Sequence, residues 1–393
     1  MTPLNSGAPV RPSGAPAPGT GTSRVNTYAT LGIRPIINAC ATLTRLGGSI
    51  MPPEVLDAMR SAAGCFIDLD ELQRRVGERI AELTGNEAAY VSSGAAAGMV
   101  LATAACTAAI DPDARTRFPD LTGMKSEVIV QHLHRNGYDY AVRQVGVTVV
   151  EAGTDAGTSR LDLENAISAE TAAIFWFQGA MNRPTELPLE DVIAIANAAS
   201  VPVIVDAAAQ LPPAENLSRF TKMGAALALF SGGKDLAGPQ SSGLVLGRKD
   251  LIEACRVHGN PNHAVGRPMK VGKEELLGIL AAVQRYIGLD HDARNRGFEE
   301  TVRFWNDGLA GIPGVDARRD FPNEAGQPVP WTLVTLETTE RRDTVVAALR
   351  SGEPAIAVAQ AGDTALHLNP MTLRPGEAEI VLARLIEVLR QIP

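Results

Sequence analysis

Leu229-Phe-Ser-Gly-Gly-Lys-Asp-Leu-Ala-Gly-Pro-Gln-Ser-Ser-Gly243 is the end of an apolar strand running into a Ser/Gly-rich loop that carries one cation, Lys234. A lysine held against a buried strand end is costly unless it has a covalent or ionic task. Upstream, Val203-Ile-Val-Asp-Ala207 places Asp206 at the end of a second apolar strand. An amine able to form a Schiff base and a carboxylate able to face a ring nitrogen are what pyridoxal 5'-phosphate (PLP) chemistry demands. These two residues set the reading of the rest.

Working outward, short apolar runs alternate with helical spacing. Strands are expected at Ala88–Val91, Val128–Gln131, Val147–Glu151, Ala173–Phe177, Val203–Asp206 and Ala226–Phe230. Leu72, Val76, Ile80 and Leu83 share a helical face within Leu69–Thr84, and Gly85 follows as a stop. Pro52 and Pro53 open a helix to about Ala63, and Ser92-Ser-Gly-Ala-Ala-Ala-Gly98 leads into a small-residue helix to Ala109. Helical patterns also occupy Leu161–Ser168 and Leu189–Ala199. Such alternation predicts an α/β fold with a mainly parallel sheet covered on both faces. Ser242–Leu246 adds an antiparallel strand behind the lysine loop.

The domain reading divides the chain into four parts. Residues 1–23 form a Pro/Gly/Ser-rich arm with little to bury and are expected to be disordered. Residues 24–60 pack on the small domain or a partner subunit, and residues 61–271 form the large cofactor-binding domain. Residues 272–393 supply a linking helix, about Gly272 to Leu289, and a smaller C-terminal α/β domain containing a Trp331–Leu336 strand and a Glu377–Gln391 helix.

Composition bounds the function. The 393 residues carry a net charge of −8 and 45% hydrophobic content, so nucleic acid is not the expected partner. No apolar run reaches the length of a membrane span and the N-terminus has no signal core, which predicts a cytoplasmic location. Cys40, Cys65, Cys106 and Cys255 lack CxxC spacing or a nearby histidine pattern, so neither a metal site nor a disulfide is expected.

In open α/β sheets ligands sit beyond the carboxyl ends of strands, and several segments converge there. Ser92, Ser93, Gly94 and Ala95 form a strand-to-helix turn suited to a phosphate. Gln131-His-Leu-His-Arg-Asn-Gly-Tyr-Asp139 supplies His134 to stack on the cofactor ring, with His132 structural. Asp206 keeps the ring nitrogen charged, and Gln210 lies four residues on. Ser231 is placed to reach the phosphate, and Gln240 completes the cofactor shell. Arg135, Arg267, Lys270 and Arg374 are the candidate cations for a substrate carboxylate or phosphate.

Taken together, Ser92-Ser-Gly-Ala-Ala, His134-Arg-Asn-Gly-Tyr-Asp139, Val205-Asp-Ala207, Ser231-Gly-Gly-Lys234, Gly238-Pro-Gln240 and Gly266-Arg-Pro-Met-Lys-Val-Gly-Lys273 resemble the selenocysteine-synthase-like group of fold type I PLP enzymes. That group includes L-seryl-tRNA(Sec) selenium transferase and D-glucosaminate-6-phosphate ammonia-lyases. The resemblance runs from about Val25 to the C-terminus. It implies an aspartate-aminotransferase-like fold and Lys234 as the Schiff-base lysine. It places Asp206 at the pyridine nitrogen, His134 near the ring, and Ser92, Ser93 and Gly94 at the phosphate. It also implies a homodimer or higher homo-oligomer with the active site near a subunit interface.

The tRNA-acting members carry an added N-terminal tRNA-holding domain, where this sequence has a short arm and an acidic balance. The expected activity is therefore α,β-elimination on a small hydroxy or sugar-derived amino acid, giving a 2-keto acid and ammonia. Aldol cleavage, racemisation and transamination on a small amino acid are the alternatives, with the selenium transferase behind them.

Overall fold

A computed structural model of the chain describes residues 27–179 and 182–392; the arm at 1–23 lies outside the described residues. Twelve strands follow in chain order among the described residues. They are β1 Ile36–Ala39, β2 Ala88–Ser92, β3 Glu127–Gln131, β4 Thr148–Ala152, β5 Thr171–Phe177, β6 Val203–Asp206, β7 Leu227–Ser231, β8 Gly243–Gly247, β9 Val315–Asp320, β10 Trp331–Leu336, β11 Ala355–Ala361 and β12 Ala365–Leu368.

The large sheet has the order β2-β8-β7-β6-β5-β3-β4. Strands β4, β3, β5, β6 and β7 pair in parallel, and β8 is antiparallel to both β7 and β2. Because β8 alone reverses, the carboxyl ends of β2, β3, β5, β6 and β7 share one edge. That edge is where the functional groups gather.

β5 shows why the sheet is covered on both sides. All seven of its residues are buried. Ile174 and Trp176 enter one apolar layer, with Val76 and Ile80 of the helix Leu69–Thr84 and Ile279 and Val283 of the helix Lys273–Ile287. Phe175 and Phe177 enter the opposite layer, with Met99 and Leu101 of the helix Ala95–Ala108 and Ile252 and Cys255 of the helix Lys249–His258. Each fully buried Phe in such a layer contributes on the order of 1.5–3 kcal/mol.

The helix Leu69–Thr84 has the ends that its sequence predicts. Asp68 accepts the Glu71 N–H at 3.0 Å as N-cap, and Gly85 takes the left-handed conformation that stops it.

The second sheet has the order β1-β11-β12-β10-β9, with β1 parallel to β11 and the other pairs antiparallel. The N-terminal strand thus joins the C-terminal body of the chain rather than the large sheet. Its own apolar layer is built from residues such as Trp305, Leu349 and Leu385. No helix among the described residues is long and apolar enough to cross a membrane.

Candidate active site

Asp206 is the last residue of β6, and its Oδ1 accepts the Ala208 N–H at 3.0 Å. Lys234 follows β7 in a turn closed by Ala237 N–H donating to the Lys234 carbonyl at 2.9 Å and Gly238 N–H to the Gly232 carbonyl at 2.8 Å. Both side chains line one cavity of about 580 Å³. Burial pulls the Lys234 amine below the ordinary lysine value, while the charges of Asp206 and Glu324 oppose the shift. Burial raises the Asp206 carboxyl, while the Ala208 N–H and Lys234 pull it down. The cavity therefore holds an acid and a base that stabilise each other's charge where water does so poorly.

A prediction follows for the cofactor-free protein. Acylation of Lys234 by an amine-reactive ester, read by mass spectrometry, will rise with pH through a midpoint below the roughly 10.4 of a free lysine, since only the neutral amine attacks. Asp206→Asn removes a charge that favours the ammonium form, so it will move that midpoint lower still. An upward shift would contradict the coupling.

Three further segments wall the cavity. The helix Ala95–Ala108 points its N-terminus at it, with Ser93, Gly94, Ala95 and Ala96 among the lining residues. Gly94, the N-cap, has φ of 123° and offers no side chain, leaving the first-turn N–H groups open to an anion. The N-terminal segment contributes Thr42, Leu43, Thr44 and Gly48. It is latched to the lysine loop by Ser49 Oγ donating to the Gly233 carbonyl at 3.0 Å and Gln240 Nε2 to the Thr44 carbonyl at 2.8 Å. Gly48 is required there: φ is 74°, and a Cβ would stand 2.3 Å from the Gly233 carbonyl oxygen. The third wall is the loop between β9 and β10, which contributes Glu324, Ala325 and Gln327.

Of the residues singled out from sequence, Lys234, Asp206, Ser93, Gly94, Ala95, Gln210, Ser231 and Gln240 line this cavity. Gln210 donates its Nε2 to the Ala325 carbonyl, 2.8 Å away, and so ties two walls of the cavity together as well as lining it.

Ser92 does not line the cavity. It is buried beneath the turn, donating its hydroxyl to the Gly94 carbonyl at 2.8 Å, and shapes the phosphate turn from below. His134, expected to lie over the ring, is instead fully buried behind the wall. Its Nε2 accepts from Asn182 Nδ2 at 2.8 Å and stands 3.3 Å from the Glu186 carboxyl, and its ring meets Trp176 edge-on. Burial lowers its pKa to about 4, so it stays neutral.

The four candidate substrate cations also lie off the cavity of their own chain. Arg135 pairs with Asp139 at 2.6 Å and with Glu151. Arg374 pairs with Glu377 at 2.6 Å. Arg267 reaches Asn260 at 3.3 Å, and Lys270 is exposed. Sequence reasoning missed Glu324, Gln327, Tyr138 and the 42–48 segment as lining residues.

Comparison with known proteins matches residues 139–299 to the family described as SelA, L-seryl-tRNA selenium transferase. The chain is 35% identical over 378 residues to a Streptomyces sp protein named 5'-C-glycyluridine monooxygenase-decarboxylase, covering 92% of each chain. It is 32% identical to the D-glucosaminate-6-phosphate ammonia lyase of Salmonella typhimurium, covering 92% of this chain and 98% of that one. A solved D-glucosaminate-6-phosphate ammonia-lyase superposes with a TM-score of 0.82 at 31% identity, over 94% of this chain and all of that one. The chain belongs to the selenocysteine-synthase-like group of fold type I PLP enzymes. Serine palmitoyltransferase with PLP, at 16% identity and a TM-score of 0.59, shares the fold.

The residues present fit that cofactor. Its aldehyde needs a poorly solvated amine, its ring nitrogen a buried carboxylate, and its phosphate a helix N-terminus with small side chains and hydroxyls. Lys234, Asp206, and the Ser93-Gly94-Ala95 turn with Ser231 supply these in one cavity.

Proposed function

We propose that the protein is a PLP-dependent lyase that eliminates water from a small β-hydroxy or sugar-derived α-amino acid, releasing a 2-keto acid and ammonia. The observation that carries this reading is the convergence of Lys234, Asp206 and an open helix N-terminus on one cavity. The 32% identity to an ammonia lyase over nearly the whole chain supports the reaction class.

When bound, PLP withdraws electrons from Cα and makes the Cα proton acidic. Lys234 would hold the cofactor aldehyde, and its Nζ is placed to take the substrate's Cα proton. Asp206 would face the ring nitrogen. Ser93, Ser231 and the N–H groups after Gly94 would hold the phosphate. Aldol cleavage, racemisation and transamination differ only in which bond to Cα breaks, so product analysis separates them.

A homodimer or larger assembly in the cytoplasm is part of this reading. Lys234 is the sole Lys or Arg lining the cavity among the described residues, so a cation for the substrate carboxylate has to come from elsewhere. Arg267 and Lys270, exposed on one loop, are suited to reach a neighbouring copy. Large apolar side chains are exposed repeatedly between Tyr28 and Ile67, including Ile50 and Phe66. All four cysteines are unpaired, as in a reducing compartment.

The 35% identity to a monooxygenase-decarboxylase supports a second reading, oxidative decarboxylation of an amino acid carried on a sugar framework. One experiment decides. Purified holoprotein is incubated with a panel of hydroxy amino acids including D-glucosaminate, with and without its 6-phosphate, and keto acid, ammonium, carbon dioxide and oxygen uptake are measured. Keto acid and ammonium in equal amounts without oxygen uptake are expected. Oxygen-dependent carbon dioxide release would favour the second reading, and the absence of keto acid from every compound would reject the first.

A further inference from the structure

The elimination proposed above needs more than a base at Cα. Hydroxide is a poor leaving group, so the departing oxygen needs a proton donor. Among the described residues lining the cavity, the titratable side chains are Tyr138, Asp206, Lys234 and Glu324. Asp206 and Lys234 already have tasks.

Glu324 enters from the small body of the chain, on the loop between β9 and β10, and that loop is fixed. Asn323 Oδ1 accepts the N–H groups of Ala325 and Gln327 at 3.1 and 3.0 Å. Gln210 Nε2 donates to the Ala325 carbonyl, and Gln327 Nε2 donates to the Leu211 carbonyl, both across to the segment after β6. Asn369 Nδ2 stands 3.4 Å from Glu324 Oε2, which orients the carboxyl from behind. Glu324 itself is exposed and lines the cavity, so its carboxyl is presented there from a fixed stretch of backbone.

We propose that Glu324 is the general acid that protonates the departing β-hydroxyl. This rests on the lyase reading. Lys234 Nζ takes the Cα proton, and the Cα–H electron pair becomes the Cα–Cβ double bond. The Cβ–O bond breaks with its pair going to oxygen, which takes the Glu324 proton and leaves as water. Hydrolysis of the freed enamine then gives keto acid and ammonia, and Glu324 regains its proton from solvent. No oxidant or reductant is consumed.

The electrostatics agree with the geometry. Glu324 is open to the cavity, yet the protein packed around it raises its carboxyl above the ordinary value, with Asn369 and the Lys234 charge opposing. A raised carboxyl holds a proton further toward neutral pH, where an acid of this kind works best.

The test separates leaving groups. Wild-type holoenzyme, Glu324→Gln and Tyr138→Phe are each given a hydroxy amino acid from the panel above and β-chloroalanine, whose chloride leaves unprotonated. Cα–H exchange in heavy water is followed by NMR. Glu324→Gln is expected to lose on the order of 10²–10⁴-fold on the hydroxy substrate. It should stay within about three-fold on β-chloroalanine and still exchange the Cα proton. Equal loss on both substrates, no loss on the hydroxy substrate, or the same signature in Tyr138→Phe instead would overturn the assignment. Wild-type enzyme inactive on every hydroxy amino acid would instead reject the lyase reading itself. If the Gln variant fails to fold, Glu324→Asp provides the same comparison with the acid retained but shortened.

Discussion

Lys234→Ala will lower turnover of the hydroxy substrate by on the order of 10⁴-fold or more, because one amine both holds the cofactor and moves the Cα proton. The loss should be nearly the same for Lys234→Arg. A guanidinium keeps the charge but neither forms the imine nor gives up its proton near neutral pH. The loss is chemical rather than structural. Within the turn only the backbone carbonyl of Lys234 is engaged, by the Ala237 N–H, and the side chain stands desolvated in the cavity. Neither substitution should therefore unfold the protein, and far-UV circular dichroism of both variants should match wild type. Borohydride treatment of wild-type holoprotein followed by peptide mass analysis should find the coenzyme fixed at position 234 and nowhere in the alanine variant. Label found at another lysine, or turnover retained within ten-fold, would remove Lys234 from the centre of the chemistry.

The strand ends were readable because a parallel sheet buried on both faces demands continuous apolar runs. A polar residue that stops such a run, as Asp206 and Ser231 do, is a marker of the functional edge. The antiparallel strand after the lysine loop was readable from its short connection to β7, and the structure places it there. The position of β2 beyond β8 is a long-range pairing that no local pattern encodes.

The same division runs through the site. Residues on strand ends and their turns were found, whereas Glu324, Gln327 and the 42–48 segment sit on loops whose sequence says only that they turn. His134 was misplaced for a related reason. Sequence shows an imidazole after a strand, but not that Asn182, Glu186 and Trp176 surround it. Two of the cations are spent on near neighbours: Arg135 pairs with Asp139 and Arg374 with Glu377, each from the loop just before the helix that its partner opens.

Asp235→Ala will destabilise the protein by about 2–4 kcal/mol and loosen the cofactor lysine at the same time. Asp235 is the residue after Lys234, it is buried, and its carboxylate receives two bonds from Arg294, at 2.5 and 3.0 Å, and one from the Tyr286 hydroxyl at 2.7 Å. Tyr286 lies on the helix Lys273–Ile287 and Arg294 on the helix His291–Leu309, the two helices that carry the chain from the large sheet to the small one. The lysine loop is thereby tied to the two helices that link the sheets.

Removing the carboxylate leaves a largely buried guanidinium and a phenol without their acceptor, and the penalty comes from those stranded donors. Arg294→Ala should cost a comparable amount, Tyr286→Phe only about 1 kcal/mol. The Asp235→Ala/Arg294→Ala double variant should be less destabilised than the two single effects added together, because the second change removes a donor that the first had orphaned. Chemical denaturation of the four proteins measures this directly. Strict additivity would mean that Asp235 and Arg294 stabilise the fold independently of one another.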